Sequence, residues 1–506
     1  MLAVKNLGIL ALVAATSAFA EYPVQRPGRS TPAPAESRFT IHPDRPKQEI
    51  WGFGFEIQSD SIGSGNVGLP DAPTSVPHDL VPSERQRFYQ EMLKGFRYCR
   101  LAGGLYWRGL DPEKKFMQGR WPEQMAELRE MIETAGVEGV SLEYWSPAPF
   151  WKANGAYVGA EKLTNLLRCF GPDFADDPVY RSDTNRFFED FAAALVHDVD
   201  YLRDNKIPVK FWGLQNEPRA GSAVNDYSRC VYTESQYEQA FSAVAPAIRA
   251  YDPRISIIAD SWELNCIAPV LADPARHSLV DALVIHHVGS DANQVLTQVP
   301  KLRAKYGDEK PLFQNEYEYL NGPTSPARCL NTVQHIMNWF QVGEAPTWFW
   351  IHALKPIKNQ EASGYSLGFW RPAADTNAAD HLDFPGLKPG HWQWNKYNWH
   401  AVGSFIRHMP WNCRAVAVTE EERNSDLRIL AFKKPNGKLT IVLSNRSGAE
   451  HTFHVNTGLT NASFKGYRYA PEEAGANFIG VKLDALKGGT LSPKIGDLTW
   501  EFWEEE

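Results

Sequence analysis

Eight short apolar segments, most of them separated by helical patterns, constrain the fold of this chain more than any other feature. Each segment is five or six residues long and mostly apolar on both faces. Such segments indicate strands of a buried parallel sheet, because a half-exposed antiparallel strand alternates apolar with polar residues. The segments are residues 51–56, 96–101, 140–145, 209–214, 255–260, 282–286, 312–316 and 347–352.

Eight strands that alternate with helices predict an α/β fold of the (β/α)8 or TIM-barrel type. A doubly wound sheet is the competing architecture, but no Gly-rich phosphate-binding loop follows the first segment. We assign residues 51–411 to the barrel and expect this domain to be catalytic.

The pattern changes after about residue 412. Segments 427–432 and 438–443 alternate or run apolar, and Pro435-Asn436-Gly437 between them is typical of a tight hairpin turn. A third such segment follows at residues 451–455. We therefore predict a small all-β domain over residues 412–506.

The N-terminus has the pattern of a secretory signal peptide. Lys5 precedes an apolar run over residues 7–15, and Ala18-Phe19-Ala20 has the small-residue pattern of a cleavage site. We predict a signal peptide at 1–20, a Pro-rich tether at 21–37, and a secreted or periplasmic protein. No later run approaches the ~18 apolar residues that a membrane span needs.

Composition excludes some partners and leaves others open. The net charge is −8 and there is no basic run, so we expect no nucleic-acid partner. The six cysteines form no C-x-x-C pair, which argues against a zinc cluster or a disulfide scaffold. Neither disulfide pairing nor oligomeric state follows from the sequence. The 17 Trp residues indicate a large core, a surface that stacks planar ligands, or both.

Two glutamates close strands of the predicted barrel. Glu217 follows the fourth strand and Glu316 ends the seventh, and each is preceded by an Asn. Barrel enzymes carry their active sites at the carboxyl ends of the strands, so these side chains can face each other. Two carboxyl groups ~5–5.5 Å apart are what a retaining glycosidase uses as nucleophile and acid/base. A solvated loop carboxylate is the ordinary fate of a single Glu, but the pair makes that interpretation unlikely.

The motifs around these residues resemble glycoside hydrolase family 30, from about residue 50 to 450. The most specific match is the third-strand signature that begins Trp145-Ser146-Pro147. Asn315 stands where the family more usually has Thr or Ser. The other matching segments are Trp51-Gly52-Phe53-Gly54-Phe55, Cys99-Arg100-Leu101, Gln215-Asn216-Glu217-Pro218 and Gln314-Asn315-Glu316. The resemblance also implies that a strand from residues 38–50 joins the C-terminal β-sandwich.

The resemblance implies roles for four residues. Glu316 is the expected nucleophile, and Glu217 the general acid and later base, with a pKa raised by the charge of Glu316. Asn216 would bond the sugar 2-hydroxyl, and Arg100 would keep Glu316 ionised and oriented. Glu318 is the rival nucleophile, because residues i and i+2 share one face of a strand.

Further residues are expected to bind the carbohydrate substrate. His286 at the end of the sixth strand would hydrogen-bond the sugar or Glu316, and we expect no metal and no cofactor because local zinc-ligand spacing is absent. Glu56 departs from the family pattern and would place a carboxylate near the first subsite. Loops 63–82 and 355–396 are expected to shape substrate choice. The candidate stacking aromatics are Trp145, Trp151, Tyr317 and Trp350.

The sequence thus predicts a secreted retaining glycosidase that cleaves β-glycosidic bonds in a polysaccharide or oligosaccharide. An exo-acting β-glucosidase or xylosidase is the alternative within that class. A non-catalytic carbohydrate-binding protein on a decayed barrel is the alternative from another class.

Overall fold

The computed structural model describes residues 36–57, 76–158, 165–218, 228–319, 323–357, 366–375, 384, 386–473 and 478–506. The predicted signal peptide 1–20, most of the tether 21–37 and most of the loop 63–82 lie outside the described residues. Among the described helices, none combines the length and the apolar character needed to cross a bilayer.

Eight parallel strands close into a barrel in chain order, which confirms the predicted fold. Pairing of the eighth strand with the first, Thr347 opposite Gly52, completes the ring. Most strand residues are buried, as continuous apolar runs require. The strands are Gly52–Ile57, Tyr98–Gly103, Gly139–Tyr144, Val209–Gly213, Ser256–Trp262, Ala282–His286, Leu312–Glu316 and Thr347–Trp350.

Helices follow the strands and cover the outside of the barrel. The helix after the first strand is Pro82–Arg87, continued by a π-helical turn at Phe88–Leu93. The connection after the fifth strand contains two short helices, Ala268–Ala272 and Pro274–Leu279. The remaining main helices are Gln124–Ala135, Thr184–Asp204, Glu234–Tyr251, Ala292–Tyr306, Pro326–Gln341 and Lys396–His408. Short helical segments occur at Val76–Asp79, Pro149–Trp151, Arg168–Phe170 and Phe174–Asp176.

The segment after the eighth strand, predicted as a long loop, contains regular structure. His352–Pro356, Ser366–Trp370 and Trp392–Trp394 form a three-stranded sheet. A two-stranded ribbon, Gly109–Leu110 with Met117–Gln118, follows the second barrel strand.

The C-terminal region is all β, as predicted. Leu427–Lys433 and Leu439–Asn445 form an antiparallel hairpin, and Gly437 takes a left-handed φ of 83° in its turn. The N-terminal strand Glu36–Ile50 lies between Cys413–Glu420 and His451–Asn456. The other strands of this ten-stranded sheet are Ser463–Tyr469, Val481–Lys487, Thr490–Leu491, Lys494–Ile495 and Thr499–Glu505. Its buried face includes Phe39, Ile41, Ile429, Leu443 and Phe453.

Polar contacts from the seventh helix help to join the barrel to the sandwich. Gln334 Nε2 donates to the Asp426 carbonyl at 2.8 Å, and Asn338 accepts from Arg428 Nε at 2.8 Å. These directional bonds fix the seventh helix, and with it the strand that ends in Glu316, against the second domain.

Candidate active site

Glu217 lies in a tightly constrained loop after the fourth barrel strand. Its backbone takes a left-handed φ of 46°, which is uncommon for a non-glycine residue. The Glu217 amide donates to the Ser261 carbonyl at 3.1 Å, and the Asn216 amide donates to the Tyr144 carbonyl at 2.7 Å. The loop is thereby held between the third and fifth strands, and such strained positions cluster at functional sites.

His286 links Glu217 to Glu316. Its Nδ1 lies 2.9 Å from Glu217 Oε1 and 3.4 Å from Glu316 Oε2. One carboxyl oxygen of each glutamate lies within 4.8 Å of the other. Arg100 Nη2 lies 3.4 Å from His286 Nε2. Because a carboxylate only accepts, Nδ1 carries the proton that is given to Glu217.

Arg100 donates four hydrogen bonds to the centre of the site from its two terminal nitrogens. Nη1 donates to Glu56 Oε2 at 2.7 Å and to Glu316 Oε2 at 2.6 Å. Nη2 donates to Glu143 Oε2 at 2.7 Å and to Asn216 Oδ1 at 2.6 Å. The guanidinium is fully buried, so these charge-assisted bonds form in a low-dielectric interior.

Glu143 is a member of the site that sequence reasoning missed. It lies on the third barrel strand with no exposed surface, and its second oxygen accepts from Asn315 Nδ2. The available signal was a carboxylate inside a mostly apolar barrel strand, close to its carboxyl end. The same criterion that singled out Glu316 would have found it.

Asn216 and Trp145 also contact Arg100. The guanidinium fixes the Asn216 amide through its oxygen, which leaves Nδ2 free of partners among the described residues. The Trp145 ring lies 4.5 Å from the guanidinium carbon in a cation–π contact. Trp145 is 1% exposed, so the structure assigns its ring to Arg100 and not to a sugar face.

The other three predicted stacking aromatics are buried as well. Trp151 is 3% exposed and packs against Phe187 and Phe191 of the third helix, so its role as a sugar platform is corrected to core packing. Tyr317 stacks on His335 at 4.0 Å and has no exposed surface. Trp350 is fully buried, 5.9 Å from Tyr317, and its Nε1 has no partner among the described residues.

Glu56, expected near the first subsite, contacts Arg100 at the centre of the site. Its carboxylate is fully buried and accepts from Arg100. The physical reason is the register of the first and second strands. Glu56 is paired with Arg100 in neighbouring positions, so the carboxylate and the guanidinium are in contact.

Charges around the site shift the pKa values of its groups. Burial raises the pKa of Glu217. The hydrogen bond and charge of His286, with the charges of Arg229 and Arg100, outweigh burial, so the pKa lies below its ordinary value. The direction of the pKa shift of Glu217 is therefore opposite to the expected one. Burial lowers the pKa of His286, whereas the charge of Glu316 and the bond to Glu217 outweigh this and raise it.

Glu318, the rival nucleophile, lies in a different environment. It is fully buried, and His352 Nδ1 lies 2.5 Å from its Oε2. Burial raises the pKa of Glu318 well above its ordinary value, although the charge of Lys355 opposes this. A carboxyl that stays protonated is a poor nucleophile, so the environment favours Glu316.

A cavity of about 490 Å³ opens on the Glu217 side of the pair. Glu217 and His286 line it, but Glu316 does not. Half-buried Trp262, at the end of the fifth strand, forms one wall, and helix residues Gln298 and Lys301 form another. This volume is within the range of small-molecule sites.

The grouping of Glu217, His286 and Glu316 also has the spacing of a metal site. Arg100 donates to Glu316 Oε2, one of the oxygens that a cation would need, and brings a positive charge to the same place. This competition favours a metal-free interpretation.

Comparisons with known proteins agree with this architecture. Residues 414–470 match the model of the glycosyl hydrolase family 30 beta sandwich domain. A search of the curated proteins by sequence gives no match. The chain is similar in structure to a family 30 subfamily 8 xylanase from Clostridium acetobutylicum, with a TM-score of 0.63, 17% identity, and coverage of 94% of this chain and 100% of that chain.

Two further solved structures have similar scores. The catalytic domain of xylanase C from Talaromyces cellulolyticus gives a TM-score of 0.64 at 14% identity, covering 93% of this chain and 100% of that chain. An endo-beta1,6-glucanase gives 0.63 at 14% identity and 94% coverage of both chains. At these identities the likeness concerns the fold.

Proposed function

We propose that this chain is a retaining glycosidase of glycoside hydrolase family 30. In support, residues 414–470 match the beta sandwich domain of that family, and the chain is similar in fold to a family 30 xylanase. The substrate is a β-linked polysaccharide or oligosaccharide. The observation that most supports this proposal is the distance between the two acids: carboxyl oxygens of Glu217 and Glu316 lie within 4.8 Å of each other. Retaining enzymes hold their carboxyl groups ~5–5.5 Å apart, whereas inverting enzymes need ~6.5–9.5 Å to admit a water.

The proposed reaction has two displacements. Glu316 attacks the anomeric carbon while Glu217 gives its proton to the leaving oxygen, which forms a glycosyl-enzyme and releases the first product. Glu217 then takes a proton from water, whose oxygen attacks the same carbon and frees Glu316. Asn216 Nδ2 donates to the sugar 2-hydroxyl, a bond that strengthens as positive charge develops on the ring.

The cavity beside Glu217 supports a saccharide leaving group. The acid/base must lie next to the leaving oxygen, and the cavity contains Glu217 without Glu316 in its lining. Its volume of about 490 Å³ exceeds what a small alcohol needs. This favours an enzyme that binds sugar units on both sides of the cleaved bond over a strictly small-aglycone glycosidase.

The test is hydrolysis of β-1,4-xylan, β-1,6-glucan and a panel of aryl β-glycosides, with the first product anomer followed by NMR. We expect net retention. A first product of inverted anomeric configuration would refute the mechanism. Carbohydrate binding without hydrolysis of any substrate would favour the binding-protein alternative. Release of monosaccharide alone from chain ends would favour the exo-acting alternative.

Two variants assign the residues. Glu217→Gln should lower kcat by about 10²- to 10⁴-fold on substrates with poor leaving groups. Glu316→Gly should be inactive, and added azide should yield a glycosyl azide of inverted configuration. A retained azide product from that variant would mean that Glu316 is not the nucleophile. Export directed by residues 1–20 also belongs to the proposal and is tested by N-terminal sequencing of protein from the culture medium or periplasm.

A further inference from the structure

The four hydrogen bonds that Arg100 donates to side-chain oxygens go to two kinds of partner. Two bonds go to Glu316 and Asn216, which act on the substrate in the proposed function. The other two go to Glu56 and Glu143, which have no exposed surface. A guanidinium is planar, so fixing two of its N–H directions also fixes the directions of the others. The two buried acids therefore aim the bonds that reach the catalytic residues.

Glu143 has a second connection, which reaches the seventh strand. Its Oε1 accepts from Asn315 Nδ2, and Asn315 directly precedes Glu316 on the seventh strand. Glu143 thus ties the third strand to the second through Arg100 and to the seventh through Asn315. An amide at position 315 supplies the N–H that this bond requires.

The fourth strand leaves room for the Glu143 side chain. A Cβ atom added to Gly213 would lie 3.0 Å from Glu143 Cγ and 3.2 Å from Ile258 Cγ1. That contact is tighter than ordinary packing, so any larger residue at position 213 would push against the acid. The second, fourth and seventh strands therefore each carry a residue that accommodates the buried carboxylate of Glu143.

The carboxylates that contact Arg100 outnumber its single positive charge. Three carboxylates, those of Glu56, Glu143 and Glu316, contact one guanidinium within 2.7 Å. Replacing a buried ion pair by apolar residues is often neutral or stabilising, so stability alone is a weak reason to hold this cluster. A negative cluster beneath the catalytic pair favours the positive charge that develops on the sugar.

We propose that Glu143 is a positioning residue that, through Arg100 and Asn315, orients Glu316 and Asn216 and holds a fixed negative charge beneath them. This inference rests on the proposed function. The groups that face the cluster from the neighbouring elements all enter its pH dependence. They are Glu56, Glu217, His286, Glu316, Glu318, His352 and Lys355. Arg229 also acts on Glu217, and Asp260 interacts with His286. Cys99 lies beside Glu56 and Tyr237 beside Glu143, and burial raises the pKa of both, so both stay neutral.

The test compares pH profiles of kcat/KM for the wild type and Glu143→Gln on a substrate that the wild type hydrolyses. Removing one negative charge favours the deprotonated forms of the acidic groups around it, so both limbs of the profile should move to lower pH. The loss of a charge-assisted bond to Arg100 should lower kcat by about 10- to 100-fold, with KM changed much less.

Two further variants separate positioning from simple structural damage. Glu143→Gln with Asn315→Asp reverses the polarity of the bond between the two residues and restores the charge, so both limbs should return toward their wild-type positions. Glu504→Gln is the matched control, because it removes a buried carboxylate of the sandwich domain whose pKa is lowered to about 2 by His408 and Lys434, and it should leave both limbs unmoved.

A uniform loss of activity in Glu143→Gln, with both limbs unmoved and no recovery in the double variant, would overturn the positioning role. An inactive wild type would instead refute the proposed function and leave no profile to shift. If Glu143→Gln fails to fold, Glu143→Asp, which keeps the charge but shortens the reach, should lower kcat while the limbs stay in place. Shifted limbs in that variant would also contradict the proposal.

Discussion

His286 Nδ1 lies 2.9 Å from Glu217 Oε1, and this contact stabilises the ionised form of the acid/base candidate. A general acid must hold its proton when the substrate binds. The lowered pKa of Glu217 therefore predicts that kcat/KM falls as the pH rises through the acidic range.

His286→Ala should move that basic limb to higher pH. The variant removes both the hydrogen bond and the positive charge that lower the pKa of Glu217, while burial continues to raise it. The measurement is kcat/KM against pH, with His277→Ala as control because His277 lies 3.9 Å from Glu309 outside the site. A limb that stays in place, or moves to lower pH, would contradict the role given to His286.

Glu318→Gln tests the rival nucleophile. Burial raises the pKa of Glu318, so the native group is a neutral carboxyl that an amide of the same shape replaces. We expect activity within about tenfold of wild type, the effect of one altered hydrogen bond. Complete loss of activity, together with an active Glu316→Gln, would exchange the roles of the two residues.

Trp262→Ala tests the leaving-group cavity. The indole forms a wall beside Glu217, so its removal should lower kcat/KM on oligosaccharides by about tenfold or more. Activity on a glycosyl fluoride should stay unchanged, because fluoride is too small to occupy the cavity. Equal losses on both substrates would mean that Trp262 does not contact the leaving group.

Glu501→Gln tests whether the ionised form of a buried carboxyl group destabilises the sandwich domain. Burial raises the pKa of Glu501 from 4.5 to about 7, although the Trp503 hydrogen bond and Arg468 oppose this. Because the folded protein holds the proton more tightly than the unfolded chain, the wild type loses stability as the pH rises from 4.5 to about 7.

Gln does not titrate, so the free energy of unfolding of the variant relative to wild type should increase over that pH range by up to about 3 kcal/mol. Urea unfolding at pH 4.5 and pH 8 gives the two differences. A relative stability that is the same at both pH values would show that Glu501 does not titrate as described.

The amino-acid sequence alone was sufficient to predict the barrel, its eight strands and the appended all-β domain. Buried parallel strands must be apolar on both faces, and this requirement is visible in residues 282–286 and 312–316 without any knowledge of contacts. The positions of Glu217 and Glu316 at strand ends followed from the same pattern, because position along a strand determines the end of the barrel at which a side chain lies.

Only the tertiary structure decided which way the side chains turn and what they meet. Glu56 and Glu143 contact one guanidinium from neighbouring strands, and Trp145 and Trp151 are buried where stacking platforms were expected. The pKa of Glu217 moves opposite to the expectation, because His286, 69 residues away in sequence, donates to it. Hydrogen bonds and charge interactions depend on distances of a few ångströms across the barrel, and sequence periodicity carries no information about those distances.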